Sequence, residues 1–165
     1  MKHYRWVGIA LLAGLLLTAT AGFAQNPDLG ALLKATGLKY SALENVEDSW
    51  RVPFEGEAGK ALDVFLTYND DKKQFALIFA TVVDREDNHG FNRDVLAACM
   101  KLNNDYPGVK FVLDEKHGDI DCQAEVYMST ITAESLAMYL NLVASMTNEH
   151  SAKLNQLAGG TPPQG

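Results

Sequence analysis

The sequence predicts a single α+β domain in which helices cover mainly one face of an antiparallel sheet. Helical and strand-like segments follow each other in the order α-β-β-β-α-β-β-α. Most connections between strands have the length of hairpin turns, so neighbouring strands should pair antiparallel. Because the segments are apolar mainly on one side, they should stack in layers to bury that side.

The first half of the domain should contain one helix and three strands. Residues 28–38 place leucines on one side of a short helix. Residues 49–54 alternate, and Pro53, which cannot donate to a ladder, predicts that this is an edge strand. Residues 62–68 alternate as well. Residues 74–83 are apolar on both faces, which is typical of a central strand covered, at least in part, on both sides.

The second half should contain two helices with a hairpin between them. Residues 91–103 have helical spacing, and Pro107 prevents that helix from continuing. Residues 109–113 and 120–128 alternate on either side of a Gly-containing turn, which predicts a β-hairpin. The last helix should begin at the N-cap Thr132. Its buried stripe consists of Leu136, Leu140, Val143 and Met146, with a weaker extension through Leu154 and Leu157.

The first 24 residues have the layout of a secretory signal peptide. Two basic residues precede an apolar run at residues 7–17, and cleavage fits after either Ala21 or Ala24. A membrane-spanning helix needs about 20 apolar residues, so an uncleaved anchor is the weaker alternative. We therefore expect a periplasmic or secreted protein that is not inserted in the membrane after cleavage.

The rest of the chain should form one domain with a short tail. Residues 25–157 are numerous enough to bury a core without a disulfide or a metal. Residues 158–165 are rich in Gly and Pro and should form a disordered tail.

The charge of the chain argues against nucleic-acid and anionic-membrane partners. The sequence has 14 basic and 21 acidic residues, and cleavage would leave 12 of the basic ones, for a net charge of about −9. Proteins that bind phosphate backbones concentrate Lys and Arg in a patch or stripe, and the sequence contains no such cluster.

The sequence contains no motif that indicates catalysis, a metal or a cofactor. Residues 56–60 lack the spacing and the Ser or Thr of a phosphate-binding loop. Residues 84–89 offer oxygen and imidazole ligands, but their spacing fits neither calcium nor zinc sites. His117 and His150 have no partner nearby in sequence and should lie at the surface. We therefore expect no catalytic residue, no bound metal and no cofactor.

The two cysteines, Cys99 and Cys122, should both point into the core. In an oxidising compartment an even number of cysteines permits a disulfide between them. Packing as free thiols explains their positions equally well, because a buried thiol behaves as a small apolar group. A reactive thiolate needs partial exposure and nearby positive charge, which argues against a redox role.

A second, partly apolar face of the sheet is the most informative feature of the sequence. If the alternating residues of the 62–68 strand face the helices, Phe65 points the other way. Ile78 or Leu77, Val112 and Tyr127 should also lie on this second face. The first or last helix could cover it, or it could bind another polypeptide or a second copy of the chain. Our candidate binding or dimer face is therefore Phe65, Ile78, Val112 and Tyr127.

The sequence resembles the YbjN-type domain over residues 28–146. The resemblance rests on LLKATGLKYSALENVEDSWRVPFEG, LDVFLTYNDDKKQFALIFATVV and LNNDYPGVKFVLDEKHGDIDCQAEV. That family is similar in fold to class I type III secretion chaperones. The resemblance implies an α+β fold, frequent homodimers and protein binding without catalysis. The signal peptide departs from this pattern, since those chaperones work in the cytoplasm.

Three functional hypotheses follow, in decreasing order of support. The first is an exported, non-catalytic module that dimerises or binds another polypeptide. The second is an envelope sensor that binds a small ligand between the sheet and the last helix, near Trp50, Tyr68 and Tyr139. The third is an enzyme with a site around Asp84 and His89.

Overall fold

The computed structural model describes residues 27–56, 59, 61–84, 91–114 and 117–159. The expected signal peptide, most of the tail and the loop that contains His89 lie outside the described residues. The secondary-structure elements in chain order are α1 (Leu29–Ala35), β1 (Ser41–Ala42), β2 (Ser49–Glu55), β3 (Ala61–Tyr68), β4 (Phe75–Val83), α2 (Arg93–Asp105), β5 (Lys110–Leu113), β6 (Ile120–Tyr127) and α3 (Ala133–Ala158).

The strands form one antiparallel sheet in the order β1-β2-β3-β4-β6-β5. The predicted α+β class is confirmed, with β4 in the centre of the sheet and β2 near its edge. Strand β1 has no signal in the sequence, because two residues are too few to show alternation. This short strand pairs only with Trp50 and Arg51 of β2.

All three helices lie on the same side of the sheet. Helix α3 packs against β3, β4 and β6, while α1 and α2 both pack against α3. The central strand therefore buries one row of side chains completely, and Ala76, Ile78 and Ala80 are fully inaccessible. Cys122 and Ala124 of β6 lie opposite this row and are buried with it. The core is thus the layer between α3 and the middle of the sheet.

Polar side chains fix α3 at both ends. Thr132 is its N-cap, as predicted, and exchanges hydrogen bonds with Ser135 in a capping box. Near the other end, the Asn155 side chain donates a hydrogen bond to the carbonyl oxygen of Val82 at 2.8 Å. The helix ends at Gly159, whose left-handed conformation favours glycine. These contacts position the helix along β4, where it covers the core.

The edge formed by β2 is interrupted by proline. Leu43 donates a hydrogen bond to the carbonyl oxygen of Ser49 at 2.9 Å, so the backbone groups of Ser49 point away from β3. Backbone groups alternate along a strand, so those of Pro53 point in the same direction. Pro53 has no N–H, and its position at the edge is therefore compatible with the ladder that β2 forms with β3.

The opposite edge, formed by β5, is closed by one side chain of α2. The amide of Asn103 donates to the carbonyl oxygen of Phe111 at 3.0 Å and accepts from its N–H at 2.6 Å. The side chain thus takes the place of a neighbouring strand. The Nζ of Lys110 donates to the carbonyl oxygen of Asn103 at 3.0 Å, which adds a second connection between β5 and α2.

Replacing Asn103 with Ala should destabilise the fold more than the same change one residue away. The variant loses two hydrogen bonds to a partly buried strand, at a cost of about 1–3 kcal/mol in the free energy of unfolding. Asn104 is exposed on the same helix, so Asn104→Ala should change stability by no more than about 0.5 kcal/mol. Urea unfolding of both variants measures the difference, and equal stabilities would contradict the role of Asn103.

Candidate functional site

The side of the sheet that faces away from the helices is called the open face here. Its side chains follow from the register: Arg51, Phe65, Phe79 and Gln123 lie opposite one another in one row across the sheet. Thr67, Leu77 and Glu125 form the next row. Phe75 and Tyr127 are opposite each other at one end.

Two aromatic pairs dominate the open face. Phe65 and Phe79 stack with their ring centroids 5.3 Å apart. Phe75 and Tyr127 lie 4.6 Å apart in a tilted arrangement. Tyr127 remains 61% exposed in spite of this contact. Leu77 lies between Phe75 and Phe79 on the same strand, so the apolar side chains form a connected strip across β3, β4 and β6.

The structure brings three of the four predicted face residues to the open face. Phe65 and Tyr127 belong to the aromatic pairs, and Val112 lies opposite Asp121 near the β5 edge. The assignment of Ile78 to this face is wrong, because Ile78 is fully buried under the helices. Its neighbour Leu77 lies on the open face instead.

The reason for this error is the apolar character of β4 on both sides. In a strand with period two, a wrong choice of face moves every side chain to the other side of the sheet. Sequence reasoning therefore also missed Phe75 and Phe79, which share the face of Leu77. Positions two residues apart in a strand lie on the same face, so placing Leu77 on the open face would also have placed Phe75 and Phe79 there.

Asp121 is a buried carboxyl group on the β5 side of the open face. It is 8% exposed, and the hydroxyl of Thr81 donates to its Oδ1 at 2.9 Å. Burial raises the pKa of Asp121; the Thr81 hydrogen bond acts in the opposite direction, and the charges of Asp114 and Asp119 raise the pKa further. A carboxyl group in this setting reduces the stability of the fold when it is ionised.

The remaining charges of the open face are mostly paired. Arg51 and Asp63 form an ion pair at 3.5 Å across β2 and β3. Glu125 accepts a hydrogen bond from the side chain of Asn69. Lys73 forms an ion pair with Asp48 beside the β3–β4 turn. Arg51 and Lys73 are thus neutralised by acids of the same chain, whereas the Nζ of Lys110, at the β5 end of the Phe65–Phe79 row, donates to a backbone carbonyl oxygen.

Two depressions lie at the end of the sheet that carries the Phe75–Tyr127 pair. One, of about 370 Å³, lies at the β3–β4 turn and is lined largely by polar residues, among them Glu47, Asp70 and Asp71. The other, of about 410 Å³, lies between the end of β6 and the start of α3.

The three residues of the predicted small-ligand site do not all lie together. Tyr68 lines the depression at the β3–β4 turn, whereas Tyr139 lines the one beside α3. Helix α1 contacts the other two aromatic side chains: the Tyr68 hydroxyl accepts a hydrogen bond from the N–H of Leu29 at 3.1 Å, and Trp50 lies against Gly30.

One of the two predicted surface histidines is largely covered by other side chains. His117 is exposed in the hairpin turn, where its Nδ1 is 2.7 Å from a carboxylate oxygen of Asp114. The prediction for His150 is wrong, because its side chain is only 13% exposed and packs against the rings of Tyr106 and Phe111. Its Nε2 is buried without a hydrogen-bond partner. The contacts come from α2 and β5, which lie far from His150 in sequence.

Both cysteines are buried in the core as free thiols. Burial raises the pKa of Cys122 to about 12 and also raises the pKa of Cys99. Thr147 lies beside Cys122 and lowers the pKa of its thiol, although the Thr147 Oγ1 makes no hydrogen bond of normal geometry. The structure holds no disulfide between the two cysteines. Neutral, inaccessible thiols suit a packing role.

Neither a clustered metal-ligand set nor a membrane-spanning helix is found in the described part of the chain. Among these residues, no three His, Cys, Asp or Glu side chains converge in a way that could hold a metal ion. Within the same ranges, no helix combines the length and apolar character needed to cross a bilayer. Asp84 lies at the end of the described segment, and its proposed partner His89 is outside it.

Replacing Asp121 with Asn should stabilise the protein at neutral pH. Because the folded-state pKa of Asp121 is raised, its ionisation lowers the free energy of unfolding at pH values above that pKa. This loss of stability disappears as the pH falls through the folded-state pKa. Asn keeps the acceptor for Thr81 without the charge, and we expect a gain on the order of 1 kcal/mol. Urea unfolding at neutral pH and near pH 4 tests this. A gain that does not shrink at the lower pH would contradict the explanation.

The two thiols should be unreactive until the protein unfolds. Iodoacetamide alkylates thiolates, and both cysteines are buried with raised pKa values. Mass spectrometry should detect no alkylation of the native protein and two alkylations in urea without reductant. Labelling in urea only after addition of a reductant would instead reveal a disulfide between Cys99 and Cys122. Fast labelling of the native protein would contradict the burial.

Solved structures share this fold at low sequence identity. A chain of the complex of ExsC with ExsE is 18% identical with a TM-score of 0.54, covering 75% of this chain and 91% of that one. The HopA1–SchA chaperone–effector complex is 11% identical with a TM-score of 0.51, at 74% and 88% coverage. YbjN from E. coli is 15% identical with a TM-score of 0.52, at 78% and 89% coverage.

Comparison by sequence found no match, whereas comparison by structure did. No protein-family model matches the chain, and no curated protein matches it significantly. At identities below one fifth, the structural matches establish the fold and not the function. The resemblance predicted from the sequence is confirmed at this level: the chain has a YbjN-like fold, which it shares with chaperone–effector structures.

Proposed function

We propose that this protein is an exported, non-catalytic module that binds another polypeptide through the open face. The observation that supports this most is the connected strip of Phe65, Phe79, Leu77, Phe75 and Tyr127. All three helices lie on the other side of the sheet, so their packing does not account for this strip. Aromatic side chains that are rigid and partly exposed are the residues that most often supply binding energy at protein interfaces.

The structural comparisons support a polypeptide as the partner. One similar structure is a chaperone bound to an effector, and another is a complex of two proteins. Export is supported by the signal-peptide pattern of the first 24 residues. A second copy of the chain would satisfy the same face, so a homodimer belongs to the proposal as one form of the assembly.

The small-ligand alternative has less support. In the described part of the chain, Tyr68 and Tyr139 line two different depressions, and Trp50 and Tyr68 are already in contact with α1. The open face therefore offers the more coherent surface.

A positive charge on the open face should weaken polypeptide binding without unfolding the protein. We expect Tyr127→Lys to weaken binding to an array of immobilised peptides by more than about tenfold, because it removes the exposed ring and places an ammonium group in an aromatic contact. The matched control is Met138→Lys on α3, since Met138 is 56% exposed and lies in the helix layer. Circular dichroism and thermal unfolding check that both variants fold.

A second variant and a mass measurement complete the test. Phe65→Lys should weaken binding in the same way as Tyr127→Lys, because it breaks the other aromatic pair. Native mass spectrometry of the wild-type chain shows whether it is a monomer or a dimer, and whether the variants change that state. The proposal would be refuted if both open-face variants bound peptides as well as the wild-type chain and kept its oligomeric state.

A further inference from the structure

Resting on the proposed function, we infer that the partner is a basic amphipathic segment that lies across the open face and does not add a strand to the sheet. Two features that are independent of the aromatic strip lead to this inference. The closed edges of the sheet determine how the segment binds, and the charges beside the strip determine its composition.

Strand addition requires a row of free backbone N–H and C=O groups at a sheet edge. At the β5 edge, the N–H and C=O of Phe111 in the middle of a four-residue strand are both bonded to Asn103. At the β2 edge, β1 pairs with the first half of the strand, and Pro53 interrupts the second half. Neither edge presents an uninterrupted row, so the partner must bind through side chains.

The charge around the strip favours a cationic segment. Glu125 lies between the two aromatic pairs, in the row next to Phe79 and Phe65 and two residues before Tyr127 along β6. At the end of β4 where Phe75 lies, Glu47, Asp70 and Asp71 line the depression at the β3–β4 turn, and Asp70 accepts a hydrogen bond from the N–H of Phe75 at 3.0 Å. Arg51 and Lys73 are paired with Asp63 and Asp48. The further cations of this region are Lys72 in the turn and Lys110 on β5, against four further acids, so the surroundings of the strip stay net negative.

The aromatic pair itself suits a partner of this chemistry. Tyr127 presents most of its surface to solvent next to the carboxylate of Glu125. A Lys or Arg side chain placed there can interact with the ring face and the carboxylate together. The apolar side chains of the segment would then lie along Leu77 and the Phe65–Phe79 pair, with its cations towards the acidic rim.

Two nine-residue peptides with the same apolar positions test the inference. In one, Phe and Leu alternate with Lys, and in the other they alternate with Glu. Fluorescence anisotropy with the full-length wild-type protein should give at least about tenfold tighter binding for the Lys peptide. Its affinity should fall as salt is raised from low to physiological concentration, because exposed charge pairs are screened over about 8–10 Å.

Matched charge variants and amide mapping locate the contact. Glu125→Gln should weaken binding of the Lys peptide by about threefold, as expected for one exposed charge. Glu149→Gln is the control, since Glu149 is an exposed acid of α3 in the helix layer. NMR titration should shift the amides of Phe65, Phe79 and Tyr127. Hydrogen exchange at Leu113 and Glu55, on the two edges, should stay unchanged.

The outcomes separate this inference from the proposed function. Equal binding of both peptides, or tighter binding of the Glu peptide, would overturn the inference and leave polypeptide binding intact. New protection of the Leu113 or Glu55 amide would also overturn it, since it would indicate strand addition. If neither these peptides nor any on the array bind, the proposed function and the inference fail together.

Discussion

One-sided burial is the constraint on which the rest of the structure depends. Helix α3 packs on the middle of the sheet, and α1 and α2 are placed by packing against α3. The apolar surface of the central strand is thereby divided into a dry side and an open side. Ile78 and Leu77 are neighbours of similar apolar character, and only the packing of α3 gives them different roles. The same division leaves a strip of aromatic side chains available for contacts outside the domain.

The edges of the sheet complete this arrangement. A sheet that exposes one face also has two edges at which other chains could pair, and proteins generally block such edges. Here the blocking groups are a proline on one side and a side-chain amide on the other. The face of the sheet, and not its edge, is therefore the surface with the most apolar contact to offer.

The sequence was sufficient for the fold, whereas it was only partly sufficient for the candidate site. Alternation, turn residues and the N-cap at Thr132 are local signals, and they led to the correct class and to eight of the nine elements. The open face depends on which side of β4 meets α3, and a strand that is apolar on both sides carries no local signal for that choice. The burial of His150 was missed for a similar reason, since its neighbours Tyr106 and Phe111 belong to distant segments.

The contact between Asn103 and Phe111 couples the end of a helix to the exposure of a sheet edge. Asn103 lies in the last turn of α2, and helix ends fray more readily than strands in a sheet unpair. Each fraying event withdraws the side-chain amide and leaves the backbone of β5 open for an instant. At the β5 edge, resistance to edge-to-edge aggregation should therefore depend on the stability of one helical turn, and conditions that loosen this turn should promote self-association before the core unfolds.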